Sequence, residues 1–350
     1  MIKKTLFLLI TLSCFTVQSQ NSKKPNIIMM IGDGMGLSQI SSGMYSNNNY
    51  TSLERSKYVG LIKTHSSDKL ITDSAAAGTA MSSGVKTKNR VVGMDDNYKP
   101  VKSILEICMD LGYSTGIIVT STIVHATPAS YYAKVKNRYQ YENIASQLAK
   151  SGINFFVGGG ERYFNDRSDN RNLIAEMEDY FFATSIDTYK NNNSNKFGYL
   201  TSYDDPIEKH KGREPSLPIL VESTIQKLEN LDKPFFLLIE SAQIDWAAHD
   251  NDPMHMNSEM IEFDNTIKTV FDFIDKDDNT LVVITADHET GGAAITGGNL
   301  LKSKVKNNYV SGDHTATMVP VFSSGYKAQN FKGVYDNTEI FDKLMTIIEK

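Results

Sequence analysis

The stretch NIIMMIGDGMG, Asn26–Gly36, sets one carboxylate among glycines directly behind an unbroken apolar run. A short continuous apolar run bounded by glycine reads as a strand buried on both faces. Asp33 then stands just past the carboxyl end of that strand, where Gly32, Gly34 and Gly36 let backbone and a ligand come close. An ordinary Asp-Gly turn looks the same in isolation, so the meaning of Asp33 depends on what the other strand ends carry.

Working outward, STGIIVTS (114–121), INFFVGG (153–159), PFFLLIE (234–240), TLVVIT (280–285) and VPVFSS (319–324) read as further buried strands. Between them lie helical patterns such as VKSILEICMDLG (101–112), YENIASQLAKSG (141–152) and MNSEMIEFDNTIKTVFDFID (256–275). Strands alternating with helices predict an α/β fold: one doubly wound, mostly parallel central sheet with helices on both faces. Ligands in such sheets sit beyond the carboxyl ends of the strands. The polar stretches SDNRN (168–172), YKNNNSNKFGY (189–199) and LLKSKVKNNYVSG (300–312) read as surface loops or small insertions.

The first twenty residues have a different logic. MIKK is basic, TLFLLITL is a short apolar core and SCFTVQSQ is small and polar, the three-part pattern of a secretory signal peptide. Residues 1–20 are therefore expected to direct secretion, into the periplasm of a bacterium, and residues 21–350 to form a single domain. TLSC lacks the residue order that would mark Cys14 for lipidation. Removing Lys3 and Lys4 takes the formal charge from −5 to −7, so there is no basic footprint for nucleic acid. Cys108 alone survives cleavage, which excludes an internal disulfide. Nothing else is long and apolar enough to span a membrane.

Three more strand ends carry chemistry. PFFLLIESAQIDWAAH ends a strand at Glu240 and then supplies Asp245 and His249, which share one face if the segment is helical. LVVITADHETGG ends in adjacent Asp287 and His288, and SGDHTATMVPVF places His314 before the last strand. Carboxylates mixed with imidazoles at the edge of one sheet suit Zn²⁺ better than a pure Mg²⁺ site. In LITDSAAAGTAMSSGVKT (70–87), Asp73 and Ser74 open an alanine-rich helix. A serine there caps the helix, meets a phosphate with free N–H groups, or does both. Beside metal ions it would be activated by them rather than by a histidine base.

These motifs resemble the alkaline phosphatase family in order, spacing and neighbours. IIMMIGDGMG, TDSAAAGTAMSSGVKT, HATPASYYAKVKNR, VGGGERYF, FFLLIESAQIDWAAH, TADHETGG and GDHT together run from about Pro25 to the C-terminal strand. The resemblance implies hydrolysis of phosphate monoesters through a phosphoserine at Ser74, with two Zn²⁺ and one Mg²⁺. It assigns Asp245, His249 and His314 to the first zinc and Asp33, Asp287 and His288 to the second. Asp33 would bridge to magnesium, joined by Thr127 and Glu240, and Arg138 would clamp the phosphoryl group. His125 and Trp246, a combination that resembles a bacterial subset, would neighbour the third metal. Some relatives carry Asp and a lysine or histidine at these two positions. His65, His210 and His255 have no counterpart role. Dimerisation is common in the family, so a homodimer is possible, but the short segment between His288 and His314 leaves a monomer equally open. A phosphodiesterase of the same metal-hydrolase superfamily is the alternative enzyme, and a secreted phosphate-binding protein without catalysis is the alternative outside enzymes.

Overall fold

The computed structural model describes residues 23–349, so the expected signal peptide lies outside the described residues. The strands are β1 (Asn26–Gly32), β2 (Tyr58–Lys63), β3 (Ser114–Thr122), β4 (Phe155–Gly159), β5 (Phe181–Phe182), β6 (Phe197–Leu200) and β7 (Phe235–Ser241). They continue as β8 (Thr280–Thr285), β9 (Glu289–Thr290), β10 (Ala294–Asn299), β11 (Lys304–Asn308), β12 (His314–Thr315), β13 (Val319–Gly325) and β14 (Gly333–Asp336). Ten of these form one sheet in the order β14-β2-β13-β8-β1-β7-β3-β4-β6-β5. β1 is thus at its centre, parallel to β7 and β8. β13 is the exception to the parallel order, running antiparallel to both β8 and β2.

The buried runs explain the centre of this order. Every residue of β3, β7 and β8 is buried, and so is all of β1 past Asn26. Strands covered on both faces need apolar side chains on both, which is why they read as runs and not as alternations. Helices Ile104–Asp110, Leu217–Glu229 and Pro253–Ile274 cover the sheet. Because β8, β1, β7 and β3 are contiguous and parallel, their carboxyl ends fall side by side. The register pairs Ile31 with both Glu240 and Thr285, bringing Asp33, Glu240 and the Asp287–His288 pair to one edge.

Two stretches read as loops contain regular structure. Lys304–Asn308 pairs antiparallel with Ala294–Asn299 in a separate hairpin, and Phe197–Leu200 joins the main sheet beside β4. Polar composition hid the hairpin, which is largely exposed and needs no apolar face, whereas Phe197–Leu200 is a buried four-residue strand masked by the Asn-rich residues before it.

Candidate active site

The turn after β1 is shaped by one glycine. Gly34 has φ +71°, and a Cβ there would lie 2.8 Å from the Cα of Asp245. The backbone after Asp33 therefore lies directly against helix Gln243–His249, and the Gly34 N–H donates to Asp287 Oδ1 at 3.2 Å. That helix does form over QIDWAAH, so Asp245 and His249 share a face, with His249 Nε2 3.3 Å from Asp245 Oδ2.

Ser74 is the first residue of the fully buried helix Ser74–Ser83, and Asp73 is its cap, accepting from the Ala76 N–H at 3.0 Å. The other Asp73 oxygen accepts from the Arg90 N–H at 3.0 Å and from Arg138 Nη1 at 3.2 Å. Asp73 thus takes the capping role and leaves the Ser74 hydroxyl free. Ser74 Oγ lies 3.4 Å from His288 Nε2.

Backbone carbonyls fix the imidazoles. His249 Nδ1 bonds to Gly312 O and His314 Nδ1 to Thr72 O, both at 2.8 Å. Each ring therefore aims Nε2 inward, and the two Nε2 atoms are 3.1 Å apart, with Asp245 Oδ1 3.6 Å from that of His314. His288 is fixed by a side chain. The Thr290 hydroxyl stands 2.5 Å from Asp245 Oδ1 and 3.1 Å from His288 Nδ1. Its single proton goes to the carboxylate, so it accepts from Nδ1–H. His288 Nε2 then faces Asp287 Oδ2 at 3.2 Å and Asp33 Oδ1 at 3.4 Å.

Among the described residues three ligand-capable groups result: Asp245 with His249 and His314, Asp33 with Asp245 and His288, and Asp33 with His125 and Glu240. Asp33 belongs to two of them, as a bridging carboxylate must. Asp287 approaches the second group through His288. In the third, the Arg138 guanidinium donates to His125 Nε2 at 3.2 Å, so the His125 ring proton is on Nδ1. In that tautomer Nδ1–H has no hydrogen-bond partner, so His125 stands beside the Asp33–Glu240 pair without a free lone pair to offer a cation. Trp246 packs edge-on against His125, ring centroids 5.9 Å apart. Thr127 is fully buried in the short helix Ala126–Ala129.

The donor atoms fit divalent cations. Both oxygens of Asp33, Glu240 Oε1, Asp287 Oδ2 and Thr127 Oγ1 are buried without a hydrogen-bond partner. Buried carboxylate oxygens otherwise almost always have one. Burial, then the neighbouring Asp287, pushes the Asp33 carboxyl well above its ordinary range, and burial pushes Glu240 to about 8. The hydrogen bond it donates to Asp245 holds the His249 imidazole up at about 9, whereas burial lowers His314 to about 4 and His125 to about 3. Arg138 faces this set of acids, its guanidinium bonded to Asp73. A cavity of about 740 Å³ opens over Ser74, Arg138, Asp245, His249 and His314.

Sequence reasoning missed Thr290, whose role depends on a contact between β9 and helix Gln243–His249. It also missed Glu289, which accepts from Gln39 Nε2 at 2.8 Å and from the Thr315 hydroxyl, tying β9 to β12 and hence His288 to His314. The only available signal was their position beside His288.

A profile of the alkaline phosphatase family matches residues 24–310. Alkaline phosphatase 4 of Bacillus subtilis is 37% identical over 346 residues, covering 93% of this chain and 74% of that one. Alkaline phosphatase 3 of the same organism is 38% identical, and the match covers 77% of this chain but only 62% of that longer relative. Among solved structures, alkaline phosphatase from the Antarctic bacterium TAB5 superposes with a TM-score of 0.88 at 38% identity, covering 93% of this chain and 98% of that one. A variant of the TAB5 enzyme with a histidine replaced by glutamate was solved with Mg bound in its M3 site. The chain belongs to the alkaline phosphatase family.

Proposed function

We propose that this chain carries out the family's hydrolysis of phosphate monoesters through a covalent phosphoserine at Ser74. Asp245, His249 and His314 would hold one Zn²⁺, and Asp33, Asp287 and His288 a second. Asp33, Thr127 and Glu240 would hold Mg²⁺, consistent with the magnesium in the TAB5 variant. When bound, such ions supply Lewis acidity toward a serine alkoxide, a leaving oxygen and an attacking water.

The chain's own residues do the rest. The helix N-terminus at Ser74 offers N–H groups and a positive dipole to the phosphoryl oxygens. Arg138, held by Asp73 and His125, presents a planar fork to two of those oxygens. Ser74 Oγ attacks phosphorus, the P–O ester bond breaks, and the alcohol leaves with the bonding pair and takes up a proton. Water then attacks phosphoserine from the opposite side and releases inorganic phosphate and the free hydroxyl. The two inversions give net retention at phosphorus. Residues 1–20 would direct export to the periplasm and be cleaved, leaving one domain over 21–350, and a homodimer is the assembly the family suggests. Among the described residues no helix is long and apolar enough to cross a membrane.

One observation carries this reading: the helix-terminal hydroxyl of Ser74 lies 3.4 Å from His288 Nε2, in a pocket shared with Arg138 and next to buried carboxylates that have no partner. Ser74→Ala is expected to retain its metal content and lose turnover by about 10³-fold or more. Acid-quenched wild-type protein should carry phosphate on the Ser74 peptide by mass spectrometry. Undiminished turnover in the variant would refute the covalent route. Faster turnover of bis-p-nitrophenyl phosphate than of p-nitrophenyl phosphate would instead favour a diesterase.

A further inference from the structure

The phosphoryl group needs only the floor of the cavity, yet about 740 Å³ lies above Ser74 and Arg138. Its rim mixes the exposed charges of Lys69, Arg90 and Asp313 with large apolar side chains. Leu70 is 75% exposed, Ile71 43% and Tyr139 56%, and all three line the cavity together with Trp246. Large apolar side chains held in water around a polar site are a recurrent mark of ligand contact.

These side chains are not exposed because their backbone is loose. Asn89 Nδ2 donates to Ile71 O at 3.1 Å, Asn89 Oδ1 accepts from the Asp73 N–H at 3.3 Å, and His314 bonds to Thr72 O. The Asn137 side chain accepts from the Tyr139 N–H at 3.1 Å. The wall is fixed while its apolar groups remain uncovered. The Arg90 guanidinium lies 5.8 Å from the Tyr139 ring centroid, and neither Arg90 nor Lys69 has a carboxylate partner among the described residues. Tyr139 with Arg90 therefore offers a stacking platform next to the Arg138 clamp.

We infer that Leu70, Ile71, Tyr139, Trp246 and Arg90 form a leaving-group subsite that selects phosphate monoesters of planar aromatic character, such as aryl phosphates and nucleoside monophosphates, over small polyol phosphates. The inference rests on the phosphoryl-site reading above, because it places the ester oxygen at the cavity floor and the alcohol portion at the mouth.

Phosphonates test it without the differing leaving-group reactivity of true substrates. Calorimetry on the zinc- and magnesium-loaded protein would compare 1-naphthylmethylphosphonate with ethylphosphonate. The aromatic ligand is expected to bind at least about tenfold more tightly. In the Leu70→Ala/Tyr139→Ala double variant the ratio should fall to within about threefold, and Tyr139→Phe alone should preserve it. Equal affinities in the wild type, or an undiminished ratio in the double variant, would overturn the subsite. Inorganic phosphate serves as the control. Its failure to bind the wild type would overturn the phosphoryl site itself and the subsite with it.

Discussion

Two clusters of buried charge meet the same short helix, Gln243–His249, and they are built on opposite principles. Near its start, Gln243 Oε1 lies 3.3 Å from His255 Nε2, which is itself 3.4 Å from Glu259. Glu259 and Glu262 are matched there by Arg213 and Lys209, with Arg213 Nη1 2.9 Å from Glu259 Oε1 and Lys209 Nζ 3.2 Å from Glu262 Oε1. Burial would raise the Glu259 carboxyl, but His255 and Arg213 hold it below its ordinary value. At Asp245 and beyond, by contrast, Asp33, Glu240 and Asp287 keep oxygens with no partner at all. In the first cluster every carboxylate oxygen is paired within the chain, and only Arg213 Nε lacks a partner. The second is completed by cations the chain does not encode, and buried charge left uncompensated is strongly destabilising.

The largest effect expected from this difference is metal removal. Chelation should lower the thermal midpoint by on the order of 10 °C or more, since each tightly held ion contributes several kcal/mol. The stripped protein should also lose stability as pH rises from 7 to 9. Glu240 near 8 and His249 near 9 both lie above their unfolded values. In that window the folded state binds more protons than the unfolded one, so stability falls with increasing pH. Scanning calorimetry with and without zinc checks both. A midpoint indifferent to chelation would erase the contrast between the clusters.

Breaking the self-contained cluster is the next largest effect. Arg213→Met leaves Glu259 and Glu262 without their guanidinium and is expected to cost about 3–5 kcal/mol in denaturant unfolding. Bound zinc per chain should stay unchanged. A loss confined to metal content would show that the two clusters are not separate.

Smallest is the effect of Thr290→Val, which removes the hydroxyl orienting His288 and Asp245 together. Zinc affinity, measured against a competing chelating dye, should weaken about 10–100-fold, with Thr290→Ser close to wild type. An unaltered affinity would mean that packing alone orients the ring.

The same contrast explains what the sequence made legible. Central strands announce themselves because burial on both faces demands apolar runs, and their ends locate Asp33, Glu240, Asp287 and His288 without further help. The i, i+4 spacing gave Asp245 and His249 a shared helical face. Strands toward the sheet margin were silent: β2, with its half-exposed pattern, and β14 at the edge carry no such run. Long-range contacts were silent too. Nothing near Arg213 in the chain points to Glu259 and Glu262, and nothing in HET marks Thr290 as the link between His288 and Asp245. Chemistry that depends on a strand end was readable, whereas chemistry that depends on two elements meeting was not.

The central claim is that Asp33 is a buried charge kept for a cation. Asp33→Asn keeps the shape and removes the charge, so its unfolding midpoints measured with and without zinc at pH 8 test that claim directly. The metal-free variant should be more stable than metal-free wild type, because a repelling carboxylate is gone. The zinc-loaded variant should be less stable than loaded wild type. A variant weakened equally in both states would show instead that Asp33 serves the fold and not an ion.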